Sequence, residues 1–279
     1  KLNIPIVVTQ RGGAYPAFFI GKGNLFLNFF IISKMVFEKL IFDAVDLFIL
    51  QSKPSFTYFS SKYGKNKTIH LQDGLDFGTF KKINKATSRK ELGIPQESKV
   101  LLFVGNLASD KGAENIFWAF EKLRFKDQSY ELICVGVNLN DELYSSMNDK
   151  AGIKLIPRVD TKKLRKYYSA ADINLYPTDN KKIKNFAGIS NANIESLANN
   201  TPILTSQLIH FVGPDSDKDK IGLQYESKEK LPSQIEYMMS NLNKYSHSRK
   251  MALKYYNIDI NVEQVIRHYG IIEKKYGIK

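Results

Sequence analysis

A second cysteine is missing from this sequence. Cys134 stands alone in the apolar run Glu131-Leu-Ile-Cys-Val-Gly136, so no internal disulfide forms and a reducing, cytoplasmic setting fits best. Metal-ligand spacing is missing too. The four histidines, His70, His210, His247 and His268, are isolated from one another and read as structural or surface residues. No apolar run reaches the roughly 20 residues that a membrane span needs. The nearest to one, 24–33 with the helical stretch through Ala44 behind it, is interrupted by Lys34, Glu38, Lys39 and Asp43. It reads as a core helix, with an interfacial helix as the alternative. A charged segment leading into an apolar core and a small-residue cleavage site is also lacking, so no signal peptide is visible. Residue 1 is Lys and Ile4-Pro-Ile-Val-Val-Thr9 already reads as a buried strand; the expectation is a chain that starts within a fold.

Acidic residues are scarce beside basic ones, 28 against 41, for a net charge of +13. Such an excess suits nucleic acid, an anionic membrane surface or phosphorylated substrates. The lysines are scattered rather than gathered in a stripe, and no nucleic-acid motif accompanies them, so nucleic acid is not expected. A composition merely rich in Lys, Ile and Asn is the plain alternative. With 43% apolar and 25% charged residues the chain has the means to build a sizeable core.

What is present is an alternation of strands and helices. Ile4–Thr9, Asp46–Leu50 and Thr68–Leu71 read as strands. The polar stretch 77–99, with a short helix over 89–95 stopped by Gly-x-Pro, reads as a linker. From Val100 the pattern is regular: strands at 100–104, 130–135, 153–156, 173–176 and 202–205, and helices at 113–125, 142–149, 161–169 and 191–198. The helix from Ala113 carries Ile116, Phe117, Phe120 and Leu123 at helical spacing. The stretch 231–276 is helical, with breaks expected near Asn257 and Gly270. This order predicts an α/β fold with a doubly wound parallel sheet covered on both faces.

Ligands of such sheets bind beyond the carboxyl ends of the strands. Two loops there stand out. Gly105-Asn-Leu-Ala-Ser-Asp-Lys-Gly112 offers glycines for close backbone approach and the Lys111 charge beside the next helix's N-terminus. It is not a Walker loop, because the residue order differs. The second is Phe186-Ala-Gly-Ile-Ser-Asn-Ala-Asn-Ile-Glu-Ser-Leu-Ala198, where Ser190 or Asn191 suits an N-cap. The amides near 188–192 are expected to face an anion, and Glu195 to stand on an exposed helix face, where it accepts hydrogen bonds from ribose hydroxyls. Taken singly, a solvated lysine and a dipole-stabilising glutamate explain these residues as well.

Taken jointly, the motifs resemble one family over nearly the whole chain, the family 4 retaining glycosyltransferases of GT-B fold. Ile4–Thr9 resembles the strand before the acceptor-side loop. Gln72-Asp-Gly-Leu-Asp76 is similar to the family's interdomain turn, and Val104–Gly112 to its Val-Gly-Arg-Leu…Lys-Gly loop. Tyr168-Ser-Ala-Ala-Asp-Ile-Asn-Leu-Tyr-Pro177 and the run from Ala187 to Pro202 resemble its donor-site segments. The resemblance implies the trailing part of an N-terminal Rossmann-like domain with linker at 1–95. It also implies a complete donor-binding domain at 96–260, and a C-terminal helix at 261–279 packing back on the first domain.

It further implies a transfer from a nucleotide-diphosphate sugar to a saccharide or lipid-linked acceptor, with retention, in surface polysaccharide or glycolipid synthesis. The setting would be the cytoplasm or the inner face of an anionic membrane. Carried over by position, Lys111 binds the donor diphosphate and Glu195 the ribose. Gly105 and Asn106, with the backbone of Gly188, Ile189, Ser190 and Asn191, line the donor site, and Arg11 stands near the family's acceptor-side histidine position. No metal or other cofactor is implied. Two positions depart from the family: Asn106 replaces its arginine, and Ala187 falls where the first of its paired glutamates stands. These departures leave open a non-catalytic nucleotide-sugar-binding scaffold. A sugar-nucleotide epimerase on the same architecture is a third reading, although the acidic and histidine groups it needs around the sugar are missing.

Overall fold

The computed structural model describes residues 4–10, 39–138, 142–179 and 187–277. Arg11, the apolar stretch 24–33 and most of the helical stretch behind it lie outside the described residues. The chain forms two compact units. The first comprises Lys1–Asp73, Lys181–Gly188 and Asp259–Lys279; the second comprises Gly74–Asn180 and Ile189–Ile258.

In the first unit, strands β1 (Val7–Gln10), β2 (Leu47–Leu50) and β3 (Thr68–His70) form a parallel sheet in that order. All four residues of β2 are buried, as a central parallel strand covered on both faces requires. Side chains alternate along a strand. Phe48 and Leu50 therefore pack with Phe59 of helix α1 (Lys53–Tyr63), while Leu47 and Ile49 pack with Ile69 and Ile272. Helix α1 lacks a clear apolar stripe and does not stand out in the sequence, yet Ser52 caps it by accepting from the Ser55 amide and Pro54 sits in its first turn. Ile272 belongs to the terminal helix α10 (Ile258–Tyr276), which runs straight through Gly270, where a break was expected. One interior glycine costs a helix about 1 kcal/mol. Packing of Ile272 and the buried Asp46, which accepts from Lys275 Nζ at 2.6 Å and the Tyr276 hydroxyl at 2.9 Å, offset that.

The second unit is built on six parallel strands: β4 (Lys99–Val104), β5 (Tyr130–Val135), β6 (Ile153–Ile156), β7 (Ile173–Tyr176), β8 (Ile203–Thr205) and β9 (Gly222–Gln224). Their order is β6-β5-β4-β7-β8-β9. Counted from β4 this is the 3-2-1-4-5-6 arrangement of a doubly wound Rossmann-like sheet, whose strand order reverses between β4 and β7. Helices α2 (Lys85–Glu91), α3 (Ala113–Lys126), α4 (Glu142–Met147), α5 (Thr161–Ala170), α6 (Asn191–Ala198), α7 (Asp215–Lys218), α8 (Leu231–Ser240) and α9 (Ser248–Tyr256) complete it. The stripe Ile116, Phe117, Phe120 and Leu123 of α3 is buried, as its spacing predicts.

The polar stretch 77–99, read from the sequence as a linker, is packed into this unit. Phe77 and Phe80 lie in one core cluster with Ile194, Leu197 and Ile203, and Ile94 lies in another with Val100 and Tyr168. The helix there spans Lys85–Glu91 rather than 89–95 because the Asn84 side chain caps it, accepting from the Thr87 amide. Buried Arg89 fixes α2 to the sheet: its guanidinium donates to Asp172 Oδ2 at 2.9 Å and to the Ala170 carbonyl at 3.0 Å. Asp172 in turn accepts from the Val100 amide at 2.7 Å, and so holds the start of β4.

Candidate functional site

The loops after β4 and β7 leave the sheet at the reversal of strand order, and they interlock. Gly105 closes β4 with φ +149° and donates its amide to the Val135 carbonyl at 2.8 Å. The chain then makes a turn of 3-10 helix at Ser109–Lys111 and enters α3 through Gly112, whose φ of +80° is left-handed. A Cβ at Gly112 would lie 2.1 Å from the Pro177 carbonyl oxygen. The absence of a side chain there lets the two loops touch. The Thr178 hydroxyl donates to the Asp110 carbonyl, which joins them again. Lys111 is half-buried, and its ammonium donates to the Asn106 Oδ1. Gly105, Asn106 and Lys111 are thus gathered in one loop, because the tight turn folds the lysine back over its start.

Around this contact lies a partly buried polar network that sequence reading missed. Asn115, in the first turn of α3, donates to the Pro177 carbonyl at 3.2 Å and to Asp179 Oδ2 at 2.7 Å. The Tyr225 hydroxyl, after β9, lies 3.1 Å from the Asn115 amide nitrogen and donates to the same Asp179 oxygen at 3.0 Å. Burial, followed by the Asp179 carboxylate, pushes the Tyr225 hydroxyl pKa upward, so it stays a donor. The sequence does carry a signal here: Asn115 interrupts an apolar helix face next to Ile116.

The second loop ends in α6. Ser190 caps the helix, its hydroxyl oxygen accepting from the Asn193 amide. The row of free amides expected at 188–192 is only partly there. The Ser190 amide is already bound, at 3.0 Å, by Gln207 Oε1, whereas the amides of Asn191 and Ala192 make no hydrogen bond within the described residues. Ile189 is buried in the core behind the cap. Gly188 groups with the first unit, where an added Cβ would fall 2.3 Å from Gln72 Oε1. Beneath the helix, buried Asn193 donates to Thr205 Oγ1 at 3.1 Å and accepts from Asn174 at 3.0 Å, tying α6 to β7 and β8.

Glu195 is not on an exposed face. It is half-buried, and its Oε2 accepts from the hydroxyl of fully buried Tyr168 at 2.9 Å. Burial raises its pKa, and the Tyr168 hydrogen bond opposes that rise. Its other oxygen has no protein partner among the described residues. The fifth residue of α6 faces the partner helix α5, a direction that helix periodicity alone did not reveal. No hydrogen bond within the described residues joins Lys111 to Glu195. Among those residues no group of three or more His, Cys, Asp or Glu side chains gathers to hold a metal ion. Nor is any helix of theirs long and apolar enough to cross a membrane. His70 is half-buried, stacked on Phe56 and bonded to the Gln51 carbonyl, and His210 is fully buried, in keeping with structural roles.

The sequence model of glycosyl transferases group 1 matches residues 84–254, more than half of the chain. The chain belongs to this family. It is 26% identical over 151 residues to the D-inositol 3-phosphate glycosyltransferase of Streptosporangium roseum, covering 50% of this chain and 33% of the relative. It is 32% identical over 132 residues to the enzyme of the same name from Corynebacterium glutamicum, covering 43% of this chain and 30% of the relative. These alignments span about a third of each curated relative's length. Two solved structures share the fold. Sucrose-phosphate synthase from Thermosynechococcus elongatus superposes with a TM-score of 0.70 at 17% identity, covering 96% of this chain and 68% of that one. Anabaena HepE in complex with UDP gives 0.69 at 14%, covering 95% and 72%. At these identities the likeness speaks for the fold, the Rossmann-like GT-B architecture, in which the group 1 match falls on the second unit.

Proposed function

We propose that this group 1 glycosyltransferase carries a sugar from a nucleoside-diphosphate donor to a saccharide or lipid-linked acceptor, with retention of configuration as in family 4. The observation that carries the reading is the position of Lys111. Its ammonium sits in the loop after β4, where the strand order reverses, and that crevice is where open α/β sheets hold nucleotides. The names of the relatives support sugar transfer, and the UDP held by Anabaena HepE supports the same donor class.

Lys111 and the open amides of Asn191 and Ala192 hold the diphosphate; the pyrophosphate side of the reaction is electrostatic. As the glycosidic bond breaks, negative charge builds on the departing phosphate oxygen, and the ammonium stabilises that charge more in the transition state than in the bound donor. This assignment asks for no bound metal. Glu195 accepts from the ribose hydroxyls through the oxygen that Tyr168 leaves available. Retention requires the acceptor hydroxyl to attack from the face that the diphosphate leaves. The excess of lysine suits an acceptor on an anionic membrane surface.

The test is calorimetric titration of the full-length protein with UDP, GDP and their sugar conjugates, followed by a transfer assay with the conjugate that binds. Binding without turnover on any saccharide acceptor would favour the second reading, a nucleotide-sugar-binding scaffold. Two observations point that way: Asn106 brings no positive charge, and Ala187 no carboxylate. No binding at all sinks both readings.

A further inference from the structure

The polar network of Asn115, Tyr225 and Asp179 has a feature that packing does not require. Asn115 and Tyr225 are buried, yet both hydrogen-bond to Oδ2 of Asp179, an exposed residue placed three positions beyond the end of β7. An exposed aspartate ordinarily turns freely and is satisfied by water. Here two buried donors, one from α3 and one from beyond β9, fix the carboxylate plane by a single oxygen. The other oxygen makes no hydrogen bond within the described residues. That is a pre-organised acceptor, held without the rotamer cost that binding otherwise exacts from a surface side chain. It stands in the loop that Gly112 and Thr178 lock against the Lys111 loop.

We infer that Asp179 is a specificity-determining residue that accepts a hydrogen bond from a hydroxyl of the transferred sugar, with Asn115 and Tyr225 as its positioning residues. The inference rests on the donor reading above. A carboxylate repels the diphosphate, so the part of a nucleotide sugar it suits is the hydroxyl-bearing one. Lys111, in the adjoining loop, takes the opposite charge. A charge-assisted hydrogen bond of this kind is the stronger sort and discriminates the orientation of one hydroxyl.

The test uses Asp179→Asn in the full-length protein. Asparagine keeps an oxygen for Asn115 and Tyr225 but offers the sugar an amide donor in place of an acceptor. The probes are UDP and GDP beside UDP-glucose, UDP-N-acetylglucosamine and GDP-mannose, measured by calorimetry with the melting temperature as control. The expected result is a loss of about tenfold in affinity for the preferred nucleotide sugar, with the free nucleotide bound as by wild type. Tyr225→Phe is expected to show the same selective loss, smaller in size, because the carboxylate is then held by one donor. Equal losses for nucleotide and nucleotide sugar overturn the inference and leave Asp179 an anchor of the loop, with the donor reading intact. Unchanged affinities for both overturn it as well. Failure of wild type to bind any probe overturns the inference together with the donor reading.

Discussion

Tyr168 donates its hydroxyl hydrogen to Glu195 across 2.9 Å, joining a fully buried ring on α5 to the one carboxylate of α6. The glutamate is thereby half withdrawn from solvent. Burial lifts its pKa, the tyrosine hydrogen bond opposes that lift, and one oxygen stays available. A carboxylate so placed is committed to a fixed direction, which a ribose-binding group needs and a surface helix glutamate does not.

The sign of the resulting pH effect is fixed. A folded-state pKa above the unfolded value means that the native state holds its proton longer. Stability from this group is therefore greatest at low pH and declines as pH rises from the unfolded value through the folded one. Glu195→Gln is expected to remove that decline, seen as a flatter profile of melting temperature across the mildly acidic range. Nucleotide-sugar affinity is expected to rise with pH over the same range in wild type, since the ionised form accepts from ribose, and to be lower by about tenfold in the variant. Tyr168→Phe removes the lowering hydrogen bond, so the rise in affinity shifts to higher pH. Titrations at a series of pH values check both; a wild-type affinity independent of pH would remove Glu195 from the site.

Lys111→Ala is expected to weaken nucleoside-diphosphate binding by about tenfold to a hundredfold, the worth of a charge-assisted hydrogen bond. Its effect on the melting temperature is expected to be small, because the side chain is half-exposed and its protein hydrogen bond is to exposed Asn106. Lys111→Arg separates charge from shape: partial retention of binding points to charge, and none to the fit of the ammonium. Equal affinity in wild type and Lys111→Ala would refute the assignment.

At Gly112 the expectation is structural. A methyl group there meets the Pro177 carbonyl at 2.1 Å and the backbone is left-handed, so the loops after β4 and β7 are pushed apart. Gly112→Ala is expected to cost about 2–4 kcal/mol in chemical denaturation, the range of a mutation combining overpacking with strain. Any folded remainder is expected to bind nucleotide poorly, since the same contact shapes the Lys111 loop.

Arg89 offers the contrasting case. Replacing it with alanine leaves Asp172 without one of its buried donors, and breaking a buried ion pair from one side costs about 3–5 kcal/mol. Lys85, bound to the other Asp172 oxygen at 2.7 Å, is expected to reduce that cost. Nucleotide affinity of the molecules that remain folded is expected to be unchanged, because α2 lies at the opposite ends of the strands from the Lys111 loop. Denaturation and titration on the same preparation check the two halves of this expectation.

The local pattern of the second unit was legible in its residues. Strands β5, β6 and β7 and helix α6 stand where alternation, apolar runs and the Ser190 cap put them, because each is set by interactions among neighbours in sequence. Helix α1 was not, since Phe56, Tyr58 and Phe59 follow one another without a stripe and become helical by packing on β2. The short strand β9 was not either: three residues carry too little pattern, and Gly222 is required there by the Ile203 carbonyl, which a Cβ would approach to 1.9 Å.

For the site the division is similar. Sequence alone gave Gly105, Lys111 and Gly112 a place between strand and helix, and Ser190 and Glu195 a place on the next, because glycine, cap and charge act within one loop or turn. Only the tertiary structure decided that Gln207 takes the Ser190 amide, that Tyr168 turns Glu195 inward, and that Asn115, Asp179 and Tyr225 meet. Asn115 and Tyr225 are 110 positions apart, and what joins them is the reversal of strand order between β4 and β7. Pairing at that distance is fixed by the packing of whole elements, a property that no window of residues contains.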